Sequence, residues 1–495
     1  MKVSKRAKFP PGAIKACALA LAALLGGCAV SPSPITREQR ATQVRADRVA
    51  MYRDQTPLAG PLKLEDAMAR AVQYNLENRV KLMEQALALG QLDLARYDML
   101  PRLTAAAGYS TRNNDLVTDS VDVDSGRTVL SNTTSQQRTH HTFDLSLTWN
   151  VLDFGVSWYQ ANQQADRALV ARERQRKTLH ALMQQVRQAY WLAVGAQALE
   201  GRVEPLLEQV NRALADAQRV EAEKLRPPLE TLNYRKAMLD IVRQLEAIRD
   251  ELTQSKPRLA ALMNLAPGTQ FSLLVPARLA VPELPLGLAE MEERALTERP
   301  ELYEADLNER ISVAEAKKAV LRMLPGIEIS FGPHYDSNAF LHNNNWVDAG
   351  LRVSWNLFNL LSGPKQKELA DAQVELARTQ RLALSMAVLT QVHVSWREYA
   401  GRKRQYDLSQ KLWEIDDRIF EHTRIGAQND AQSRLNEIRS GVSALMSDYR
   451  RYQNYANLQA AYGQVIASLG EDPVAPAGLA AGPEPDKLAA ATAPQ

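Results

Sequence analysis

The sequence contains two copies of one pattern, and this internal duplication limits the possible folds more than any other feature. At a shift of 224 residues, a helix-period segment ending in Met99-Leu100-Pro101 matches one ending in Met323-Leu324-Pro325. Further along, Trp149-Asn150 matches Trp355-Asn356 at a shift of 206 residues. The first copy therefore carries 18 extra residues between its Leu-Pro and Trp-Asn motifs. One register kept across helix and strand patterns predicts a duplicated fold.

Each copy contains two strand-like segments. The stronger ones, THHTFDLSLTWNV from Thr139 and WVDAGLRVSWNL from Trp346, alternate apolar and polar residues. A period of two with one apolar face predicts half-buried strands. A weaker partner precedes each, LTAAAGYST from Leu103 and GIEISFGPHYD from Gly326, across a polar loop. Four strands are therefore predicted, and the tryptophan near the end of each stronger strand is typical of a membrane interface.

Helix-period sequence fills most of the remaining chain. Short helical segments are predicted at 64–98 and 288–322, before the strands, and a Leu-Pro step ends each. After the strands, Val156–Val220 and Lys365–Thr423 contain very few glycine or proline residues. At 1.5 Å per residue each of these runs extends about 90 Å. Apolar residues recur at every third or fourth position, so the long helices are expected to pack against other helices.

The long helices are followed by return helices, predicted at Leu229–Leu265 and Gln432–Leu469. Five parts of the chain follow from these patterns. They are a lipoprotein signal peptide at 1–27, a poorly ordered N-terminal linker at 28–60, a first repeat at 61–285, a second repeat at 286–470 and a disordered tail at 471–495.

The N-terminus predicts export and lipidation. Residues 1–15 carry five basic residues and no acidic one, and an apolar run follows. This order is that of a secretory signal peptide. Leu25-Gly26-Gly27-Cys28 resembles the bacterial lipobox, which implies a covalent lipid on Cys28. The same resemblance implies that Ala29, after the cysteine, directs the lipoprotein to the outer membrane. The alternative is an ordinary signal peptide with an incidental cysteine.

Composition excludes several classes of function. Cleavage of the signal peptide removes five positive charges and takes the net charge from +3 to −2, which argues against nucleic-acid binding. Cys17 leaves with the signal peptide, so no disulfide and no thiolate metal site is expected. His140 and His141 are neighbours on a strand and point to opposite faces. No enzyme motif is present, so we expect no catalytic residues, no metal and no cofactor besides the lipid.

Four strands cannot close a barrel, and open sheet edges are not tolerated in lipid, so the chain must associate with copies of itself. The duplicated order of helix, Leu-Pro step, hairpin, Trp-Asn motif and long helical hairpin resembles the TolC-type outer-membrane efflux channels over roughly residues 60–470. The resemblance implies an α+β membrane protein. Three chains, with four strands each, would form a twelve-stranded outer-membrane β-barrel that continues into a long periplasmic α-helical barrel.

The resemblance also implies a function. The protein would be the exit duct of a tripartite efflux or type I secretion system, without enzymatic activity. Its partners would be the other copies of a homotrimer, a periplasmic adaptor (membrane fusion) protein, an inner-membrane RND or ABC pump and outer-membrane lipid, and not nucleic acid. It would lie in the cell outer membrane, lipid-anchored, and extend into the periplasm. A membrane-anchored periplasmic helical adaptor and a structural lipoprotein remain alternatives, and the sequence specifies neither the cargo nor the energy source of the pump.

Three groups of residues are candidates for this function. The polar positions of the stronger strands are expected to face a water-filled lumen: Asp144, Ser146, Asn150, Asp348, Arg352 and Asn356. The resemblance implies that the turns between the long helices contact the adaptor: Lys224, Leu225, Arg226, Ile425, Gly426 and Ala427. Charged residues near the second turn are candidates for a periplasmic gate: Asp430, Arg434 and Glu437.

Overall fold

The computed structural model describes residues 32–121, 124–223, 227–284, 286–426 and 431–471. The predicted signal peptide with Cys28, and all of the predicted tail except Glu471, lie outside the described residues. The chain divides into two compact units, Met1–Gln55 and Thr56–Gln495. No helix among the described residues is both long enough and apolar enough to cross a membrane.

The first unit contains helix α1, Arg37–Met51. A capping box starts this helix: the Gln39 amide donates to the Thr36 hydroxyl at 3.2 Å, and the Thr36 amide donates to Gln39 Oε1 at 2.9 Å. Two of the backbone donors at the helix start are satisfied in this way, which favours helix over coil. The linker that was expected to be poorly ordered therefore contains a helix.

The second unit repeats one order of elements twice, as the duplication predicts. The first repeat consists of α2 (Leu64–Tyr74), α3 (Leu76–Tyr97), β1 (Arg102–Thr111), β2 (Thr118–Val121), β3 (Thr128–Thr133), β4 (Thr139–Asn150), α4 (Val151–Ala222) and α5 (Pro228–Leu262). The second repeat consists of α6 (Leu288–Glu298), α7 (Pro300–Leu321), β5 (Gly326–Asp336), β6 (Asn345–Ser354), α8 (Asn359–Gly426) and α9 (Ala431–Ser468).

Each short helical segment, predicted as continuous, is divided into two helices. Asn75 is extended between α2 and α3, and its side chain accepts the Asn78 amide at 3.1 Å and donates to Leu262 O at 3.1 Å. In the second repeat, Arg299 is extended between α6 and α7 because Pro300 disfavours helical geometry in the residue before it. The prediction missed both breaks because the apolar period continues across them.

The four predicted strands form one antiparallel sheet in the order β1-β4-β5-β6. The 18 extra residues of the first repeat supply a separate two-stranded hairpin, β2–β3. Gly126, between these two strands, has a φ of +64°, a conformation that costs glycine little. The prediction described this segment only as a polar loop, because its strands are short and lie outside the main sheet.

The long helices pack into three apolar clusters. One lies where α4 and α5 meet α2, a second joins α4, α5 and α9, and a third joins α8 and α9 to α6. The segment between the repeats crosses these helices and is held by tyrosine hydroxyls. Tyr190 donates to Leu274 O at 3.4 Å and Tyr455 donates to Ala280 O at 2.8 Å. Burial raises the pKa of both phenols to about 12, so both keep the proton that they donate.

Candidate functional site

The sheet has one polar face and one apolar face. Directly paired residues share a face, so the register assigns each strand residue to one side. One face carries mainly polar and small residues, including Thr104, Asp144, Ser146, Thr148, Glu328, Ser330, His334, Asp348 and Arg352. The other carries Leu103, Leu145, Leu147, Ile329, Phe331, Val347, Leu351 and Val353. Leu351 is 72% exposed and Val353 64%, so in the single chain this apolar face has no protein cover there.

Five of the six residues predicted to face the lumen lie on this polar face: Asp144, Ser146, Asn150, Asp348 and Arg352. Asn356 follows the end of β6. The two asparagines also start the long helical segments. Asn150 Oδ1 accepts the Leu152 amide at 3.0 Å, and Asn356 Oδ1 accepts the Phe358 amide at 3.1 Å. The repeated Trp-Asn motif thus marks the turn from strand into helix.

The polar face carries paired charges across its strands. His334 Nδ1 lies 2.6 Å from Asp144 Oδ1, and His334 Nε2 lies 3.2 Å from Asp348 Oδ1. Nearer to the helices, Arg352 lies 3.7 Å from Glu328. His334 is absent from the predicted lumen-facing residues because it lies on β5, one of the two weaker predicted strands. The signal was present in GIEISFGPHYD, where this histidine occupies a polar position of the alternation.

The loops at the far end of the sheet are joined across the two repeats. Asn338 is buried; its Oδ1 accepts the Gln137 amide at 3.1 Å, and its Nδ2 donates to Ser135 O at 2.9 Å. In return, Gln137 Oε1 accepts the Ala339 amide at 3.2 Å. These three bonds tie the segment after β3 to the segment after β5, so the loops of the two repeats are joined at this end of the sheet.

The helical hairpins carry a buried ionic group in which Asp448 binds two arginines. Its carboxylate lies 2.5 Å from Arg202 Nη1 and 2.7 Å from Arg451 Nη2. The Arg451 guanidinium also stacks 3.9 Å from the centroid of the Trp413 ring. Because these residues come from α4, α8 and α9, the group connects three helices. In the part of the chain that the structure describes, no three His, Cys, Asp or Glu side chains are arranged to hold a metal ion.

The candidate adaptor contacts and gate are only partly described. Lys224, Leu225, Arg226, Ala427 and Asp430 lie outside the described residues, as does the Arg434 side chain. Of the rest, Ile425 is 70% exposed, Gly426 ends α8, and Glu437 is half-buried near the start of α9. The adaptor contacts and the gate stay predictions.

The sequence and the fold were compared with those of known proteins. The family model described as outer membrane efflux protein matches residues 71–265. The resemblance to the TolC-type outer-membrane efflux channels is confirmed. The matched segment runs from α2 to just beyond α5 and so contains most of the first repeat. No curated protein matches the sequence at a significant level.

Several solved structures share the fold of this chain. The chain is similar to the outer-membrane channel OprN, with 18% identity, a TM-score of 0.61 and coverage of 83% of this chain and 91% of that one. The similarity to CusC has 16% identity and a TM-score of 0.64, and it covers 84% of this chain and 95% of that one. The similarity to the outer membrane protein VceC of Vibrio cholerae has 14% identity and a TM-score of 0.61, and it covers 82% of this chain and 96% of that one. The predicted fold class is therefore confirmed. The match to the outer membrane efflux protein model supports the predicted efflux role.

Proposed function

We propose that three copies of this chain form the exit duct of a tripartite efflux or type I secretion system. The observation that carries the proposal is the two-faced sheet, whose apolar side is largely exposed in the single chain and whose polar side bears Asp144, Asp348 and Arg352. In a transmembrane β-barrel with a water-filled lumen, apolar residues face the lipid and polar residues face the water.

The edges of the sheet indicate how copies would join. Among the described strands, β1 and β6 each pair on one side only. Each successive pair of strands is antiparallel, so β1 and β6 run in opposite directions. The β6 edge of one copy can therefore extend antiparallel pairing to the β1 edge of the next. Such a head-to-tail contact closes into a ring, and three copies supply twelve strands.

The helices carry a second surface that favours the same assembly. Leu408, Leu412, Ile415 and Ile419 recur on α8 at spacings of four, three and four, and each is at least 50% exposed. This set, the α8 stripe, has the spacing of a helix-packing seam. On α5, Leu229 and Leu232 are likewise exposed. A second copy that covers the α8 stripe would remove this apolar surface from water and extend the ring into the helical region.

The duct would act by passive passage. Polar and charged side chains along its inner wall keep water in the lumen, while an inner-membrane RND or ABC pump and a periplasmic adaptor deliver the substrate. The helical hairpins would extend into the periplasm towards these partners, with the adaptor contacts and the candidate gate at their tips. No bond is made or broken in this step.

The assembly is tested with one substitution in the α8 stripe. Leu412→Glu places a charge where a second copy would cover the leucine side chain. Burial of that side chain would stabilise the contact by about 2 kcal/mol, so the trimer fraction should fall at least about tenfold. Lys411→Glu is the matched control, because Lys411 is exposed and lies beside the stripe. The measurements are the mass of the detergent-extracted protein and single-channel conductance in a planar bilayer. A wild-type monomer that never conducts would contradict the duct and favour a periplasmic helical adaptor or structural lipoprotein.

Lipid anchoring at Cys28 is part of the same proposal. The chain has two cysteines, Cys17 and Cys28, and the first would leave with the signal peptide. Cys28→Ser should therefore abolish incorporation of labelled palmitate into the mature protein. Cys17→Ser is the control and should leave labelling unchanged. Labelling that survives Cys28→Ser would contradict a lipid at that position.

A further inference from the structure

A histidine on the polar face connects three strands of the sheet. His334 on β5 reaches Asp144 of β4 through Nδ1, at 2.6 Å, and Asp348 of β6 through Nε2, at 3.2 Å. Its ring is stacked on Trp346 with centroids 5.5 Å apart and an interplanar angle of 17°. These three residues, His334, Asp144 and Asp348, are named the His334 bridge below.

The hydrogen bonds indicate the charge of the bridge. A neutral imidazole has one donor nitrogen and one acceptor nitrogen. An ionised carboxylate only accepts hydrogen bonds, so an imidazole held between two carboxylates must donate from both nitrogens. The two carboxylates beside its ring nitrogens therefore favour the imidazolium form of His334, and its stacking on Trp346 suits a cation. With two carboxylates the bridge carries a net charge of −1, and it would carry −2 without the histidine proton.

The surrounding charges do not cancel this difference. On the same face, Glu328 and Arg352 are paired with each other. Towards the loops, Asp336 lies 3.8 Å from the buried His140 Nδ1, which has no hydrogen-bond partner. Neither pair includes a residue of the bridge. The Asp348 side chain is 61% exposed, so its charge acts directly on the solvent beside the sheet.

We propose that His334 is a specificity-determining residue of the duct, which sets how strongly the lumen prefers cationic over anionic solutes. The inference rests on the proposed function, because it needs the polar face to line the lumen. Three chains would bring three His334 bridges to one level of the barrel, in the half nearer the loops. Protonated bridges leave a weak cation preference, and loss of the imidazolium proton doubles the negative charge of each bridge.

The test measures the reversal potential of the full-length protein in a planar bilayer under a KCl gradient. His334→Gln should raise the ratio of K⁺ to Cl⁻ permeability about two- to tenfold near neutral pH. Between about pH 5 and pH 9, the wild-type ratio should rise with pH, because histidine loses its charge in this range. The His334→Gln channel should stay at the high value throughout. His141→Gln makes the same change on the opposite face of the neighbouring strand and should behave as wild type.

A second variant keeps the inference open to refutation if His334→Gln does not assemble. His334→Arg retains a positive charge and donors for both carboxylates, so it should keep the low permeability ratio and lose the pH response. Conducting channels in which His334→Gln changes neither the ratio nor its pH response would overturn the inference and leave the duct intact. A pH response that persists in His334→Gln would come from another titratable group, such as His140, and would also overturn it. Absence of conductance from the wild-type protein would instead contradict the proposed function.

Discussion

Gly332→Ala is expected to prevent β4 from pairing with β5 and to abolish the folded channel. A Cβ at this position would lie well inside van der Waals contact with Leu145 O and 3.1 Å from Ser146 Cα, both in the β4 backbone. The β4 backbone cannot move away without loss of its ladder, which joins the two repeats. The ladder already has a gap here, because Pro333 has no N–H and the register records no pair for it with β4.

Gly350→Ala is the matched control for this prediction. Gly350 lies on the same face of β6, and its added Cβ would meet only Ser330 Oγ, at 2.7 Å. A serine hydroxyl can rotate to another position, whereas a backbone carbonyl cannot. The measurement is the yield of trimer from membranes, with circular dichroism of the extracted protein. A normal yield of Gly332→Ala trimer would show that β4 and β5 are not as close as the structure has them.

Asp448→Ala is expected to lower the free energy of unfolding by about 3–5 kcal/mol, because it leaves buried positive charge without its partner. The Asp448 side chain is 6% exposed and Arg451 only 12%, so water cannot replace the lost contact at Arg451. The loss should loosen the contact of α4, α8 and α9 while leaving the sheet intact. Urea unfolding followed by the helical signal in circular dichroism measures the change.

Asp240→Ala provides the comparison for an exposed ion pair. Asp240 lies 3.2 Å from Arg243 on α5, and both side chains are at least 47% exposed. Pairs of this kind contribute about 0–1 kcal/mol, so the unfolding midpoint should hardly move. Equal destabilisation by the two substitutions would contradict a special role for the buried group.

The sequence allowed the class of fold and much of the candidate site to be predicted, because the signals concerned are local. Alternation with a period of two depends only on the pleat of a strand, so Asp144 and Asp348 could be assigned to one face without a partner strand. Long runs with a helical apolar period likewise predicted α4 and α8, and most of their predicted ends lie within a few residues of those in the structure. The repeated Trp-Asn motif predicted the duplication, although its role in starting the helices appeared only in the structure.

The tertiary structure decided which residues meet. His334 is unremarkable in its own strand, and its contacts with Asp144 and Asp348 exist because β5 pairs with β4 on one side and β6 on the other. The same holds for Asp448, whose partner Arg202 lies 246 residues away along the chain. Local periodicity determines which face of an element a residue occupies. The register between distant strands and the crossing of distant helices determine its neighbours, and these depend on the packing of the whole chain.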